Sequence, residues 1–384
     1  MDGRRAQEAL DLARSLVRIP SENPVGSERA CAEFVAGWLE QHGVSPCLDE
    51  VQPGRPNVVA RVGEGPEPPL VFVAHLDTVP AGEGWSVDPF SAEVRDGRLY
   101  GRGAADMKGG VAAALVAFRE AATVASGRRP VVFLGTVDEE GPHMLGITRL
   151  IEQGHVRRDS LVVCTEPTDL RLILAHKGAM WYRIRARGRM SHAGNPHLGV
   201  DANHGLVATL LAVKEAIGDL PHEHPLLGRP SVTIGYMAGG FKTNVVPDQA
   251  VAEVDVRLVP PMAGGDAEAI LAAACRKGEE VVRGVRLEWE RMSRDRPPVE
   301  ADPSSPVAEG LRRAFRVVTG RPVVEAGYPA YTDAAMVAAA LGNDQWVLFG
   351  PGHLDQAHTV DEWAEAEQIG TAAEVLVRLV GELA

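Results

Sequence analysis

The sequence of 384 residues predicts an α/β protein in which a second, smaller domain interrupts a discontinuous first domain. Three observations lead to this fold class. Up to about residue 176, short β-branched runs alternate with helical patterns, which is typical of a buried, mostly parallel sheet. Between residues 177 and 291, apolar and polar positions alternate, as they do in half-exposed strands. The alternation of helices and apolar strands resumes after a polar, Pro-rich stretch at 293–306.

The first part of the discontinuous domain, residues 1–176, combines amphipathic helices with apolar strands. Helical periodicity predicts helices at 5–19, 28–42 and 108–122. The last of these begins with Gly109-Gly110, which permits close packing against a neighbouring element. β-Branched apolar runs predict strands at 57–62, 70–75, 130–136 and 160–165.

The inserted domain, residues 177–291, has the order strand, helix, strand, strand, helix, strand, which is ferredoxin-like. Its strands are predicted at 179–188, 231–240, 250–259 and 285–291, and its helices at 201–217 and 266–280. Residues 292–384 complete the first domain. They contain a helix from 306, a strand at 345–349 and a final helix at 361–382.

Composition and charge exclude several classes of protein. The formal net charge of −13 argues against a nucleic-acid-binding surface. No segment approaches the ~20 apolar residues that a membrane span needs, and the N-terminal pattern lacks the features of a secretion signal. Four scattered cysteines without a C-x-x-C pair argue against a disulfide framework. We therefore expect a cytoplasmic protein that binds neither nucleic acid nor membrane.

Carboxylates and imidazoles occur where several predicted strands end. His75 and Asp77 come at the end of the strand at 70–75, on the same side of the chain. Matching positions after later strands and loops are held by Asp106, Glu139, Glu140, Glu166 and His358. The carboxyl ends of parallel strands share one edge of a sheet, so we expect these side chains to meet there. Such negative charge requires a cation, and the donor types suit one or two divalent ions, zinc first, with cobalt or manganese as alternatives.

Each of these signals is weak when taken alone. An H-x-D pair is commonly structural, and a D-E-E run is commonly a solvated loop. The stretch G-R-G-A-A-D-M-K-G-G has the glycines of a phosphate loop, but Asp106 stands where the third Gly of G-x-G-x-x-G would be and would repel phosphate. The signals become specific only through their joint occurrence in one order.

Further motifs extend this order along most of the chain. H-x-D is followed by D-x-K-G-G, E-E, E-P-T, G-x-x-S-H-A-G-x-P-x-x-G-x-D-A-N, N-V-V-P and a late G-P-G…A-H-T. Over residues 57–362 the chain resembles the M20 metallopeptidase family, which includes acetylornithine deacetylase, succinyl-diaminopimelate desuccinylase, aminoacylase and glutamate carboxypeptidase. The resemblance implies a metal-dependent hydrolase that cleaves the amide bond of an N-acyl amino acid. The alternative is a carboxypeptidase or dipeptidase on the same two-metal scaffold.

The resemblance implies roles for the residues of the constellation. Two divalent ions would be held by His75, Asp106, Glu140, Glu166 and His358. Asp106 would bridge the ions, and its peptide bond to Met107 is expected to be cis. Asp77 would hydrogen-bond the second ring nitrogen of His75. Glu139 would be the general base for a metal-activated water.

The resemblance also implies that the inserted domain is a lid that forms a homodimer. His192 would reach the active site of the other subunit and stabilise the oxyanion. Asn244 would assist substrate binding, and Arg257 would hold a substrate carboxylate, with an ion pair to Asp255 as the alternative. Further candidates for the pocket, each with a structural role as its alternative, are Lys177, Thr332 and Asp333.

Two departures from the family pattern concern the substrate. The Gly-rich turn that usually follows E-E is G-P-H-M-L-G here, which adds Pro142 and His143 beside the base. Where many relatives have G-G-T-D, this chain has A-Y-T-D, which adds Tyr331. Neither departure affects a predicted metal ligand.

Overall fold

The computed structural model describes residues 3–24, 28–124 and 128–384. In these ranges the α-helices are α1 (Gly3–Val17), α2 (Arg29–Gln41), α3 (Gly109–Val124), α4 (Leu145–Glu152), α5 (Ala202–Gly218), α6 (Gly264–Val281), α7 (Pro306–Thr319), α8 (Asp333–Leu341) and α9 (Ala366–Leu383). The first eight strands are β1 (Cys47–Gln52), β2 (Arg55–Val62), β3 (Leu70–His75), β4 (Val94–Arg95), β5 (Arg98–Tyr100), β6 (Val131–Thr136), β7 (Leu161–Cys164) and β8 (Leu172–His176). The later strands are β9 (Gly178–Arg187), β10 (Ser191–His192), β11 (Ser231–Gly239), β12 (Val245–Val246), β13 (Gln249–Leu258), β14 (Arg286–Arg291), β15 (Val299–Glu300), β16 (Glu325–Tyr328), β17 (Trp346–Leu348) and β18 (Trp363–Glu365).

The chain forms two compact units. The first comprises the described parts of Met1–Ala175, Glu300–Gly327 and Thr332–Ala384. The second comprises His176–Val299 and Tyr328–Tyr331, so it includes the first half of the Pro-rich stretch at 293–306. The predicted domains, 1–176, 177–291 and 292–384, and their roles stay a prediction.

The large sheet has the strand order β1-β2-β6-β3-β7-β17-β8-β15, and β16 pairs with β8. Its central strands β6, β3, β7 and β17 are parallel neighbours, which confirms the predicted parallel core. The pairs β1–β2, β2–β6 and β17–β8 are antiparallel. Every residue of β3 and β6 is buried, as expected for strands that are covered on both faces.

Helix α3 shows how closely the layers of the first unit approach each other. It packs against α1 and α9, and residues 109–118 are fully buried. A Cβ atom at Gly110 would lie 1.9 Å from the carbonyl oxygen of Thr165, so only glycine fits where the helix begins. The predicted close packing of the Gly-Gly start is therefore confirmed.

The second unit contains a four-stranded antiparallel sheet with the order β11-β13-β9-β14. Helices α5 and α6 pack against each other, and α5 contacts β9, β11 and β13. The chain order β9-α5-β11-β13-α6-β14 confirms the predicted ferredoxin-like arrangement. Strand β13 alternates between buried and half-buried residues, whereas the edge strand β11 is exposed along nearly its whole length.

One predicted element differs from the structure. The final helix begins at Ala366 rather than near 361, because Trp363–Glu365 forms β18 and pairs with β5. The helical pattern continues through this segment, so only its pairing with a distant strand reveals the difference. Among the described residues, we find no helix that is both long and apolar enough to cross a membrane.

Candidate active site

The strands β6, β3 and β7 end side by side and lead directly into acidic and imidazole side chains. β3 ends at His75, the loop after β6 contains Glu139 and Glu140, and Glu166 follows β7 by two residues. Because these strands are parallel neighbours, their carboxyl ends share one edge of the sheet. The edge therefore collects buried groups that the sequence separates by up to about 90 residues.

Asp106 lies at the centre of this cluster. Its Oδ1 atom lies 3.0 Å from Nε2 of His75, and its Oδ2 atom lies 3.6 Å from Nε2 of His358. His358 Nε2 also lies 2.9 Å from Oε1 of Glu140, and His75 Nε2 lies 4.0 Å from Oε2 of Glu166. All five predicted metal ligands therefore meet in the first unit, and the two oxygens of Asp106 face different imidazoles.

The segment Ala104–Lys108 presents Asp106 through an unusual backbone. Asp106 itself has φ −118° and ψ 94°, outside helical geometry, although α3 begins only three residues later. The peptide bond between Asp106 and Met107 is cis, which confirms the prediction. The Met107 sulfur accepts a hydrogen bond from the backbone N–H of His75 at 3.3 Å, so the segment is fastened to the end of β3.

Burial dominates the electrostatics of the cluster. Burial raises the pKa of Glu139 and Glu166 well above their ordinary range. The charge of His75 lowers both pKa values in part, and neighbouring carboxylates raise them further. Burial opposes the charge on His75, yet the hydrogen bond with Asp106 and the charge of Glu166 leave its pKa well above the ordinary value. The hydrogen bond with Glu140 raises the pKa of His358 to about 9. The site thus collects several buried carboxyl groups, and the two imidazoles partly compensate their charge.

The donor set fits divalent cations. Imidazole nitrogens and carboxylate oxygens are zinc ligands, and bonds of about 2.0–2.1 Å place neighbouring tetrahedral ligands about 3.3 Å apart. The donor atoms of His75, Asp106 and Glu140 all lie within 4.8 Å of one another. The two imidazoles on either side of Asp106 match the arrangement of a bridging carboxylate.

Asp77 contacts His75 differently from the sequence prediction. The second ring nitrogen of His75 lies 2.9 Å from the backbone carbonyl oxygen of Asp77, whereas the carboxylate is 3.7 Å away. The carboxylate instead accepts hydrogen bonds from the backbone N–H groups of Glu139 (3.3 Å) and Glu140 (3.1 Å) and from the Asn23 amide (2.9 Å). Asp77 therefore fixes the turn that carries the proposed base.

The same turn has further support that the sequence did not reveal. Asp138 has φ 66° and accepts hydrogen bonds from Asn23 (3.2 Å), Arg55 (3.0 Å) and the backbone N–H of Leu145 (3.2 Å). Arg55 also pairs with buried Glu28. These partners come from distant parts of the chain, and no local pattern marks Asn23 or Arg55 as part of the site.

Two predicted pocket residues are buried and make hydrogen bonds within the first unit. Thr332 is fully buried, and its hydroxyl accepts a hydrogen bond from the N–H of Ala334 at the start of α8. Asp333 is also buried and accepts a hydrogen bond from the Thr136 hydroxyl at 2.7 Å. Burial raises the pKa of Asp333 to about 7.

In the second unit, both cationic candidates have protein partners. Arg257 donates two hydrogen bonds of 2.8 Å to the Asp255 carboxylate, which is the alternative stated for this residue. Lys177 donates from Nζ to the backbone carbonyl of Arg229 at 2.6 Å. Burial, followed by the charge of Arg257, lowers the pKa of Lys177. Both cationic candidates therefore already contact oxygen atoms of their own unit.

The structure places His192 and Asn244 side by side. The short strands β10 and β12 pair so that His192 faces Val245, and the N–H of Ala193 donates to the Asn244 carbonyl at 3.1 Å. Both His192 and Asn244 are exposed, and His192 Nδ1 accepts a hydrogen bond from the N–H of Gly194 at 3.0 Å. Their side chains are therefore accessible from the surface of the second unit.

A second group of metal-ligand type lies in the first unit at half-buried positions. His353 Nε2 lies 3.4 Å from Asp169 and 3.2 Å from Glu365. The Gln368 amide also donates to Asp169 at 2.8 Å. These contacts are those of a partly exposed ion-pair cluster, and they fasten the loop after β7 to the segment that precedes His358.

Buried His75, exposed His358 and the carboxylates around a central aspartate, with a second glutamate beside them, match the site of a metal-dependent hydrolase. The sequence profile of the Peptidase family M20/M25/M40 matches residues 71–382, and the chain belongs to this family. The resemblance that the motifs indicated is therefore confirmed, and the protein is a metal-dependent enzyme that hydrolyses an amide bond.

Individual relatives agree with this assignment. The chain is 32% identical over 351 residues to an acetylornithine deacetylase of Vibrio campbellii, covering 90% of this chain and 89% of that one. It is 28% identical over 388 residues to a probable succinyl-diaminopimelate desuccinylase of Staphylococcus epidermidis, covering 93% of each. Its fold is similar to that of the M20 family metallo-carboxypeptidase Sso-CP2 of Sulfolobus solfataricus, with a TM-score of 0.80, 19% identity and coverage of 98% and 99%. Human carnosine dipeptidase 1 gives a TM-score of 0.78 at 19% identity, with coverage of 99% and 96%.

Proposed function

We propose that the protein hydrolyses the amide bond of an N-acyl amino acid, as a deacetylase or desuccinylase. The observation that carries this proposal is the cluster of His75, His358 and carboxylates around Asp106, with Glu139 next to a predicted ligand and held by Asp77. The names of the two relatives, a deacetylase and a desuccinylase, support an N-acyl amino acid as the substrate class.

Five residues are proposed to hold two divalent ions. Asp106 would contribute to both sites, with His75 and Glu166 completing one and Glu140 and His358 completing the other. When bound, such ions lower the pKa of water and polarise a carbonyl group. The nitrogen and oxygen donors favour Zn²⁺, with Co²⁺ and Mn²⁺ as alternatives.

Glu139 is the proposed general base. Its side chain is buried, and its backbone N–H donates a hydrogen bond to Asp77. The backbone position from which the carboxylate extends is therefore fixed. Burial raises its pKa well above the ordinary range, and a base is most effective when its pKa approaches the working pH. Glu139 accepts a proton from the attacking water and delivers it to the nitrogen of the leaving amine.

The second unit is proposed to act as a lid that supplies substrate contacts. Exposed His192 would donate to the oxyanion in the active site of the other subunit, and neighbouring Asn244 would assist substrate binding. The cations Lys177 and Arg257 would meet the substrate carboxylate. Arg257 would then share its guanidinium between that group and Asp255, its partner in the structure.

The edge of the second unit supports a homodimer. β11 lies at the edge of its sheet, and Ile234, Tyr236 and Met237 are exposed along it. Leu211 on α5 is also 63% exposed. An open edge with exposed apolar side chains is a template for pairing with another chain.

A cytoplasmic location is also proposed, since the cysteines in the described part of the chain are free thiols.

A substrate panel tests the proposed function. The purified protein, reconstituted with Zn²⁺ or Co²⁺, would receive N-acetyl, N-succinyl and N-formyl amino acids together with unblocked dipeptides. We expect amine release from acylated members only, lost on treatment with a chelator and in Glu139→Gln. Cleavage of the dipeptides alone would replace the deacylase proposal with a carboxypeptidase or dipeptidase on the same site.

A further inference from the structure

The segment that carries Asp106 is held by a glutamate near the end of the chain. The Glu362 side chain is 1% exposed. Its Oε1 atom accepts hydrogen bonds from the backbone N–H groups of Ala105 (2.9 Å) and Asp106 (3.1 Å). Its Oε2 atom accepts from the N–H of Gly103 (3.1 Å) and from the Arg102 guanidinium (2.5 Å). One carboxylate thus contacts four of the five residues from Arg102 to Asp106.

These contacts use the full hydrogen-bonding capacity of the side chain. An ionised carboxylate offers about four lone-pair positions, and the four donors fill them. Arg102, itself 3% exposed, supplies the opposite charge. A glutamine would keep one acceptor oxygen and add an NH₂ group that faces N–H donors. An aspartate would be one methylene too short to reach the same donors.

Glu362 also connects the segments that carry Asp106 and His358. It follows His358 by four residues, and its backbone carbonyl accepts a hydrogen bond from the N–H of Gly101 at 2.9 Å. The next residues, Trp363–Glu365, pair with Arg98–Tyr100. The backbone on both sides of the contact is therefore fixed, and the two oxygens of Asp106 are held between His75 and His358.

We propose that Glu362 is a positioning residue for the hydrolysis, which sets the orientation of Asp106 toward His75 and His358. This role rests on the proposed function, because it assumes that Asp106 is shared by two ions. Glu362 touches neither the substrate nor the reacting atoms. It acts through the N–H group of Asp106 and the N–H groups that precede it.

A purely structural ion pair makes a different prediction. Such a pair would lower stability when broken and leave each folded molecule with normal ion binding. Glu374 provides the matched control, because it is a buried glutamate whose carboxylate lies 3.6 Å from Arg5, where α9 packs against α1. Glu374→Gln removes a buried charge from the same unit at a position away from Asp106.

The test compares Glu362→Gln with Glu374→Gln in the full-length protein. Zn²⁺ affinity is measured by competition with a chromophoric chelator, and the absorption spectrum of the Co²⁺-loaded protein reports ligand geometry. Partners that orient metal ligands typically contribute ~10–100-fold to affinity or activity. We expect Glu362→Gln to lose about that much in Zn²⁺ affinity or kcat, with an altered Co²⁺ spectrum and a nearly unchanged KM. Glu374→Gln should match the wild type in all of these measurements.

If Glu362→Gln does not fold, Glu362→Asp replaces it, and we expect the same direction of change, because the shorter side chain cannot reach the same donors. Zn²⁺ affinity, Co²⁺ spectrum and kcat that match the wild type in the folded variant would overturn the positioning role, even with reduced stability. Ion binding and the spectrum are read without substrate, so they decide this role whichever panel member is cleaved. A wild-type protein that binds no divalent ion would overturn the proposed function itself.

Discussion

Replacement of Asp77 tests how the proposed base is held. Its buried carboxylate accepts three hydrogen bonds, from the N–H groups of Glu139 and Glu140 and from the Asn23 amide. Asp77→Asn keeps the shape of the side chain but leaves a single acceptor oxygen. In the better orientation the amide oxygen accepts hydrogen bonds from the Glu140 N–H and the Asn23 amide. The N–H of Glu139 then faces an NH₂ group and has no acceptor. In the other orientation two donors lose their acceptor.

The expected magnitudes follow from this count. A buried donor without an acceptor costs about 1–3 kcal/mol, so the better orientation should destabilise the protein by about that amount. The loss of one negative charge offsets part of the cost, because Asp77 contributes to the raised pKa of Asp333 and Glu28. A displacement of ~1 Å at a reacting group can cost ~100-fold in rate, so we expect kcat to fall by about 10- to 100-fold.

The assay combines urea denaturation of the metal-loaded protein with kcat and KM for the substrate found in the panel. Asp302→Asn is the control, since Asp302 is an acceptor for Ser304 in an exposed turn. Asp77→Ala, which loses all three hydrogen bonds, should lower both the stability and kcat further than Asp77→Asn does. Wild-type kcat and stability in Asp77→Asn would refute the reasoning that these bonds fix the base.

The remaining predictions concern the base, a buried acid and the sheet edge. Glu139→Gln should keep its metal and its fold but lower kcat by about 10²–10⁴-fold, measured with metal content on the same sample; normal turnover would contradict the assignment of the base. Because burial raises the pKa of Asp333 to about 7 from 3.8, the folded metal-free protein retains a proton that the unfolded chain releases. The contribution of this proton to the free energy of unfolding is fully present below pH ~4 and is lost as the pH rises to about 7. Asp333→Asn should therefore gain up to about 4 kcal/mol relative to the wild type between pH 4 and pH 8, measured by urea denaturation at both values. An equal difference at both pH values would exclude this explanation. Met237→Lys, on the exposed edge strand β11, should give monomers in analytical ultracentrifugation, and persistent dimers would place the interface elsewhere.

Local sequence patterns determined most of the elements of both units. The apolar run at 70–75 predicted a buried strand, and β3 occupies these residues. The alternating pattern at 179–188 predicted β9 to within one residue at each end. Such patterns suffice because burial depends on the side-chain period of the chain itself, which is visible in the sequence. The order of the motifs likewise identified the family, which the comparisons confirm.

Hydrogen-bond partners, by contrast, were decided only by the tertiary structure. The sequence could not show that the Asp77 carboxylate serves the N–H groups of Glu139 and Glu140 rather than His75. It could not show that the carboxylate of Glu362, which lies 256 residues further along the chain, accepts a hydrogen bond from the N–H of Asp106. Each such contact depends on where the sheet brings distant loop ends, to within a few tenths of an ångström. A residue type at a given spacing specifies the chemistry that is available, and only the folded chain selects which atoms meet.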